Sequence, residues 1–300
     1  MSIAFEKIPL PPGSCYRLLK WSDNVRDVEI CLPHGKTQRL EGAGEEWHFH
    51  PEIELTLVTK GRGRRFVGDH VSTLEAPDLV LIGSNLPHFW SGLTGSAGLS
   101  LQFICDQKHP LWQVAEAEPL RAVQQIASRG AMLTGPAVEA IQQQMQRITS
   151  TNPTDGLIHF LKILSTLCEM PSQDVTPLSD RQFSLVDRDP HMQQIAKAVQ
   201  YVQTNFQEHI KLDDLLELTE MSKPTFCRQF KRLTGRTLMA LTNQIRIDYA
   251  RQLLIETDQP ITDIAFESGF TNLSHFNRQF KNICGCSPRA FREQQGNHRA

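Results

Sequence analysis

One block of sequence occurs twice in the last third of this 300-residue chain, and the duplication constrains the fold more than any other feature. The first copy, LDDLLELTEMSKPTFCRQFKRLTG, begins at Leu212; the second, ITDIAFESGFTNLSHFNRQFKNICG, begins at Ile261. Asp214 matches Asp263 at an offset of 49, whereas Arg228, Gln229, Phe230 and Lys231 match Arg278, Gln279, Phe280 and Lys281 at an offset of 50. The second copy therefore carries one extra residue between its helices. Each copy is expected to hold a short helix (212–219 and 261–268), a tight break, and a second helix opened by Ser222 or Thr271, both good N-cap types. Gly269 stands in the second break, as glycine often does between the helices of a helix-turn-helix. Two copies are too few to bury a solenoid core, so the repeat implies a duplicated function.

Spacing divides each second helix into two faces. Phe226, Phe230 and Leu233, then Phe276, Phe280 and Ile283, form a stripe to be buried. The opposite face offers Thr225, Arg228 and Lys231 in the first copy, and Ser274, Asn277, Arg278 and Lys281 in the second. Arginine pairs bidentately with guanine and asparagine with adenine, while lysine and serine hold phosphates, which is the chemistry of a helix lying in a major groove. A solvated charged face is the plain alternative for one such helix; its recurrence with the same RQFK block argues for double-stranded DNA as the partner. From Met192 onward there are 14 Lys and Arg against 11 Asp and Glu, while the rest of the chain has 17 against 22, so the basic side is C-terminal. Between the copies, Leu238, Leu241, Ile245, Tyr249 and Leu253 predict one connecting helix of roughly 20 residues, about 30 Å long. That length is close to the separation of successive major-groove faces, about 34 Å.

The stretch from Met192 to about Gln294 resembles the AraC/XylS family of bacterial transcription regulators. The resemblance rests on TGRTLMAL, RIDYARQLL and ITDIAFESGFTNLSHFNRQFKNICGCSPRAFR. It implies base and backbone contacts from Pro224, Thr225, Cys227 and Arg228 in the first reading helix and from Leu273, Ser274, Asn277 and Arg278 in the second. Pro224 and Cys227 are poor hydrogen-bond donors, so the first helix is expected to specify less than the second.

Before the repeat the texture changes. From Cys15 to Phe103 short apolar alternations (VEICL, EIELTLVTKG, RRFVG, LVLIG, LSLQFI) are punctuated by glycine and proline, which predicts a small antiparallel barrel or sandwich over 1–110. From 111 to 170 the period becomes helical, with Leu120, Val123, Ile126, Leu157, Leu161, Leu164 and Cys168 on stripes. This segment either packs against the barrel or, as the family resemblance implies, couples and dimerises it. Residues 171–190, rich in Pro, Ser and Asp, read as a linker, and 191–300 form the DNA-binding domain. The start, MSIAFEKIPLPPGS, lacks the pattern of a signal peptide, and no run of about 18 apolar residues occurs, so a cytoplasmic protein without a membrane partner is expected. Seven cysteines without paired CxxC spacing fit reduced thiols.

The segment GAGEEWHFHPEIELTLVTKG frames Gly42, His48, His50, Glu54 and Gly61, and His88 follows in GSNLPHFW. Read as one alternating strand, His48, His50 and Glu54 share a face. Imidazoles and a carboxylate converging in a barrel suit a divalent metal. The pattern resembles the two motifs of the cupin superfamily, closely in the first; the second departs from it, with Gly83 in place of a usual proline and Asn85 where glycine is common. Two readings stand: a metal on His48, His50, Glu54 and His88, or an effector pocket in which these side chains hydrogen-bond and bind an organic molecule directly. Trp47, Phe49, Phe89 and Trp90 line its mouth or belong to the core.

These readings converge on a non-enzymatic, two-part regulator: a cupin-like barrel with a helical hairpin, then an all-helical domain with two helix-turn-helix units. A small-molecule effector controls it, no cofactor is required, and the expected partners are operator DNA, a second copy of the chain and, for an activator, RNA polymerase. The competing reading is a metal-dependent cupin enzyme fused to a DNA-binding tail.

Overall fold

Nine strands fill the interval in which the sequence alternates: β1 (Tyr16–Asn24), β2 (Asp27–Cys31), β3 (Thr37–Glu41), β4 (Ile53–Lys60), β5 (Arg62–Val67), β6 (His70–Glu75), β7 (Asp78–Ile82), β8 (His88–Ser91) and β9 (Thr94–Phe103). The computed structural model describes residues 14–25, 27–41, 47–106, 108–183 and 189–296. After a run of 3₁₀ turns over 110–122 come α1 (Val123–Ala127), β10 (Ala131–Leu133), α2 (Ala137–Ile148), α3 (Pro153–Glu169) and β11 (Val175–Pro177). Val71–Thr73 aside, the chain divides into two units between Asp189 and Pro190.

In the first unit the strands form two antiparallel sheets, ordered β11-β10-β7-β4-β9-β1-β2-β3 and β6-β5-β8. The expected barrel is thus an open pair of sheets, and among the described residues no continuous ladder closes it. Pro51, Pro77 and Pro87 stand at the entrances to β4, β7 and β8, where the missing N–H interrupts pairing. Period-two alternation gives the large sheet two buried faces. Leu18, Leu55, Leu57, Leu79, Leu81, Leu101 and Phe103 pack against Met145 of α2 and Phe160, Ile163, Leu164 and Leu167 of α3. Leu19, Trp21, Val58, Val80 and Ile82 point the other way, toward Leu86 and Trp90.

Two expectations change here. The interval 111–170, read as helical, contains β10, which follows the left-handed Gly130 (φ 66°) and pairs with β7; three residues are too few to register a period. Residues 171–183 of the stretch read as a linker belong to the first unit. β11 pairs with β10, and fully buried Ser179 donates to Asp69 Oδ1 at 2.7 Å while its carbonyl accepts from Arg129 Nε at 2.7 Å. Residues 184–188 of that stretch, like the segment before Ser14, lie outside the described residues.

The second unit is helical: α4 (Met192–Asn205), α5 (Leu212–Thr219), α6 (Lys223–Thr234), α7 (Leu238–Glu256), α8 (Ile261–Glu267), α9 (Leu273–Cys284) and α10 (Pro288–Gly296). The connecting helix α7 is 19 residues long, about 28 Å at 1.5 Å per residue. No helix among the described residues is long and apolar enough to cross a membrane, and all seven cysteines are free thiols.

Candidate functional site

The two reading helices are built on one template. α6 and α9 start and end 50 residues apart, and each buries its stripe: Phe226, Phe230 and Leu233 in the first, Phe276 and Phe280 in the second, with Ile283 half-buried. The phenylalanine pairs sit alike, with ring centroids 5.4 and 5.6 Å apart. Both helices end on a left-handed glycine, Gly235 (φ 78°) and Gly285 (φ 76°), whose amides donate to the carbonyls of Lys231 and Lys281.

On the outer face Pro224, Cys227, Arg228 and Lys231 of α6 are exposed, as are Ser274, Asn277, Arg278 and Lys281 of α9. Thr225 and Leu273 are half-buried. Neither helix carries an acidic residue, so both faces are cationic, as a phosphate-lined groove requires. The common offset makes Thr225 the equivalent of His275, which is turned inward against Phe270 at 5.6 Å. It also makes Lys223, exposed at the first turn of α6, the equivalent of Leu273. Sequence reasoning passed over Lys223, although extending the RQFK offset to the helix start reaches it.

The breaks before these helices differ. α6 follows a left-handed Glu220 (φ 54°), and the Ser222 hydroxyl meets the Thr225 hydroxyl at 3.0 Å rather than a backbone amide. α9 is capped by Asn272, not by Thr271: its Oδ1 accepts from the amides of Ser274 (2.8 Å) and His275 (3.1 Å). The extra residue of the second copy moves the cap one position along. Gly269 (φ 86°) is needed there, because a Cβ would stand 2.7 Å from the Phe206 carbonyl oxygen. Arg246 of α7 holds the α4–α5 connection, against which Gly269 packs, by donating to the carbonyls of Phe206 (2.6 Å) and Glu208 (2.8 Å).

In the first unit His48, His50, His88 and Glu54 come together, all buried. They do not share one strand as expected. Pro51 starts a bend at 51–52, so only Glu54 lies on β4, while His48 bridges to His88 through paired backbone bonds of 3.1 and 2.8 Å. Gly42, the first residue of the motif frame, lies outside the described residues. The three imidazoles offer ligand atoms within 4.8 Å of one another. His50 Nε2 is 3.1 Å and His88 Nε2 3.7 Å from Glu54 Oε2.

Sequence reasoning missed three members of this cluster, and the strand register supplies them. Arg17 and Glu54 both lie opposite Gln102 across β9. Arg17 Nε donates to Gln102 Oε1 at 2.5 Å, which turns the amide so that Nε2 donates to Glu54 Oε2 at 2.6 Å. Thr56 donates to Glu54 Oε1. Burial would raise the Glu54 carboxyl, but the hydrogen bond with His50 and the nearby His88 ring outweigh it and hold the group well below the usual carboxylate range. The Nδ1 atoms of His50 and His88 lie 3.1 and 2.7 Å from the carbonyls of Glu52 and Leu86. A neutral ring donating there would present its Nε2 lone pair to the carboxylate, and His88 Nε2 has no hydrogen-bond partner among the described residues. The donor set thus asks for a cation between nitrogen and oxygen, either a ring proton or a metal ion. The adjoining cavity, lined by His48, Glu54, Trp90 and Gln102, is about 30 Å³, room for a water or an ion. Trp47, Phe49, Phe89 and Trp90 are all buried, and of these Trp90 lines the cavity.

A protein-family model described as a helix-turn-helix domain matches residues 215–294. The HTH-type transcriptional activator RhaS of Pectobacterium carotovorum subsp. carotovorum (strain PC1) is 24% identical over 266 residues, which is 82% of this chain and 87% of that protein. RhaS of Enterobacter sp. (strain 638) is 33% identical over 93 residues, 31% of this chain and 34% of that protein. Among solved structures, the DNA-binding domain of AdpA in complex with a target DNA is 26% identical and covers 35% of this chain and 96% of that one, with a TM-score of 0.34. ToxT from Vibrio cholerae O395 is 12% identical and covers 94% of this chain and 100% of that one, with a TM-score of 0.36.

Proposed function

We propose, from the membership of this chain in the AraC-type helix-turn-helix transcription regulators homologous to the RhaS activators, that α6 and α9 read operator DNA and that the first unit senses a ligand. The observation that carries the DNA reading is the repeat of an exposed, acid-free face over the same buried phenylalanine pair. Arg278 and Asn277 are the base readers; Lys231 and Lys281 hold phosphates. Arg228 carries what specificity the first helix has, because Pro224 and Cys227 beside it offer almost no donor. An Arg278→Ala variant tests this: specific operator binding weakens by about 1–3 kcal/mol at fixed salt. A mobility shift equal to that of the unaltered protein refutes it.

The cluster in the first unit is proposed as a cation site rather than an organic pocket. His48, His50, His88 and Glu54 would hold a divalent metal, which supplies there a fixed charge binding the two sheet regions that carry its ligands. The Nε2 atoms of His50 and His88 facing Glu54 support this, that of His88 without a hydrogen-bond partner among the described residues, and so does the cavity of about 30 Å³. The same small volume disfavours a cupin enzyme, whose substrate must reach the metal. Purified protein should bind one equivalent of added metal and lose it in His50→Ala. Metal content unaffected by that change removes the assignment.

A further inference from the structure

The first unit holds a second, larger cavity, of about 270 Å³, which meets the large sheet on the face that packs against α2 and α3. Cys15, Tyr16 and Cys31 line it from the sheet; Ile148, Thr151 and Leu157 line it from the α2–α3 hairpin. The walls are tied together. The His34 amide donates to the Thr151 carbonyl at 3.2 Å, joining the β2–β3 turn to the hairpin connection. The Tyr16 ring stacks on Phe160 at 4.8 Å. Its hydroxyl comes so near α3 that a Cβ on Gly156 would stand 2.4 Å away, so glycine is what admits the tyrosine.

Among the described residues the lining carries polar groups but no facing charge. The Thr151 hydroxyl is buried without a hydrogen-bond partner among the described residues. Burial pushes the Cys31 thiol up to about 11 and the Tyr16 hydroxyl up to about 12, so both are neutral at physiological pH. Arg17 also borders the cavity, but its guanidinium is turned to the opposite face, toward Gln102 and Glu52. An ion placed here would lose its hydration with no counter-charge to replace it. The volume lies at the lower edge of the range for small-molecule pockets, roughly 300–1,000 Å³. It is several times that of the cavity beside the histidine cluster.

We propose that this cavity is the organic ligand site of the first unit, taking a compact, neutral, mostly apolar molecule whose single hydrogen-bonding group meets the Thr151 hydroxyl. The binding step stands apart from what the second unit reads, since the lining residues all belong to the first.

Indole serves as the probe and the cysteines as reporters, in the full-length chain. Alkylation of Cys15 and Cys31 by iodoacetamide, followed by peptide mass mapping, should slow about tenfold at indole well above its Kd, with exposed Cys227 unchanged. Indole-3-carboxylate, similar in shape but charged, should give no protection. Leu157→Trp fills the space and should abolish the indole effect. Thr151→Val keeps the shape and should weaken indole about fivefold, the loss of one neutral hydrogen bond. Equal alkylation rates with and without indole in the folded protein overturn the proposal, and so does equal protection by the carboxylate. No arm uses DNA, so failure here is distinct from failure of the operator assay.

Discussion

The two helix-turn-helix copies share a scaffold and differ at their edges. The buried phenylalanine pairs, the terminal glycines and the helix lengths repeat at a 50-residue offset. The turn, the residue type at the N-cap and the outer face do not: three residues separate α5 from α6 and five separate α8 from α9, and Pro224 and Cys227 stand where Ser274 and Asn277 do. Packing constrains the inside of a reading helix tightly, because a lost aromatic leaves a cavity. The outside is constrained by the groove alone and is free to diverge. The copies are therefore equal as structure and unequal as readers.

The equality is tested most severely in the core. Phe230→Ala and Phe280→Ala should each destabilise the second unit by about 3–5 kcal/mol in denaturant titrations, since both rings are at most 1% exposed. A large gap between the two would mean that the scaffold is not duplicated. The inequality is tested next at the outer face. Arg278→Ala should cost about 1–3 kcal/mol of specific operator affinity and relax base preference at one position. Arg228→Ala should cost affinity with less change in preference, and the opposite ranking would reverse the assignment of the better reader.

The caps give a smaller contrast. Asn272→Ala removes a side chain that accepts two amides and should cost about 0.5–2 kcal/mol of stability. Ser222→Ala should cost less, because its hydroxyl contacts Thr225 and no backbone amide. The smallest effects belong to Lys231→Ala and Lys281→Ala, each expected to lower the salt-dependence slope of DNA binding by about one without altering sequence preference. A sequence-dependent loss at either lysine would make it a base reader.

Much of the second unit was legible because its information is local. A 3.6-residue period marks the phenylalanine stripes, and glycine at the breaks follows from backbone sterics. The cap of α9 was misplaced by one residue, since Thr271 and Asn272 are both good cap types and only the turn geometry decides between them. Strand texture before residue 104 was also legible, and the three-residue strands β10 and β11 were not, being shorter than any period.

Of the histidine cluster, the sequence by itself determined the members that lie in motif: His48, His50, Glu54 and His88. Tertiary structure alone decided how they meet, across a bend at Pro51 rather than along one strand. It alone brought in Gln102, 48 residues from Glu54, and Arg17, 85 residues from Gln102. It alone separated an ion-sized cavity at the cluster from a larger, uncharged one on the far face of the sheet. The physical reason is range. Helix periodicity, caps and turns are settled within a few residues, whereas strand register and the volume left between packed layers depend on partners that no local pattern names.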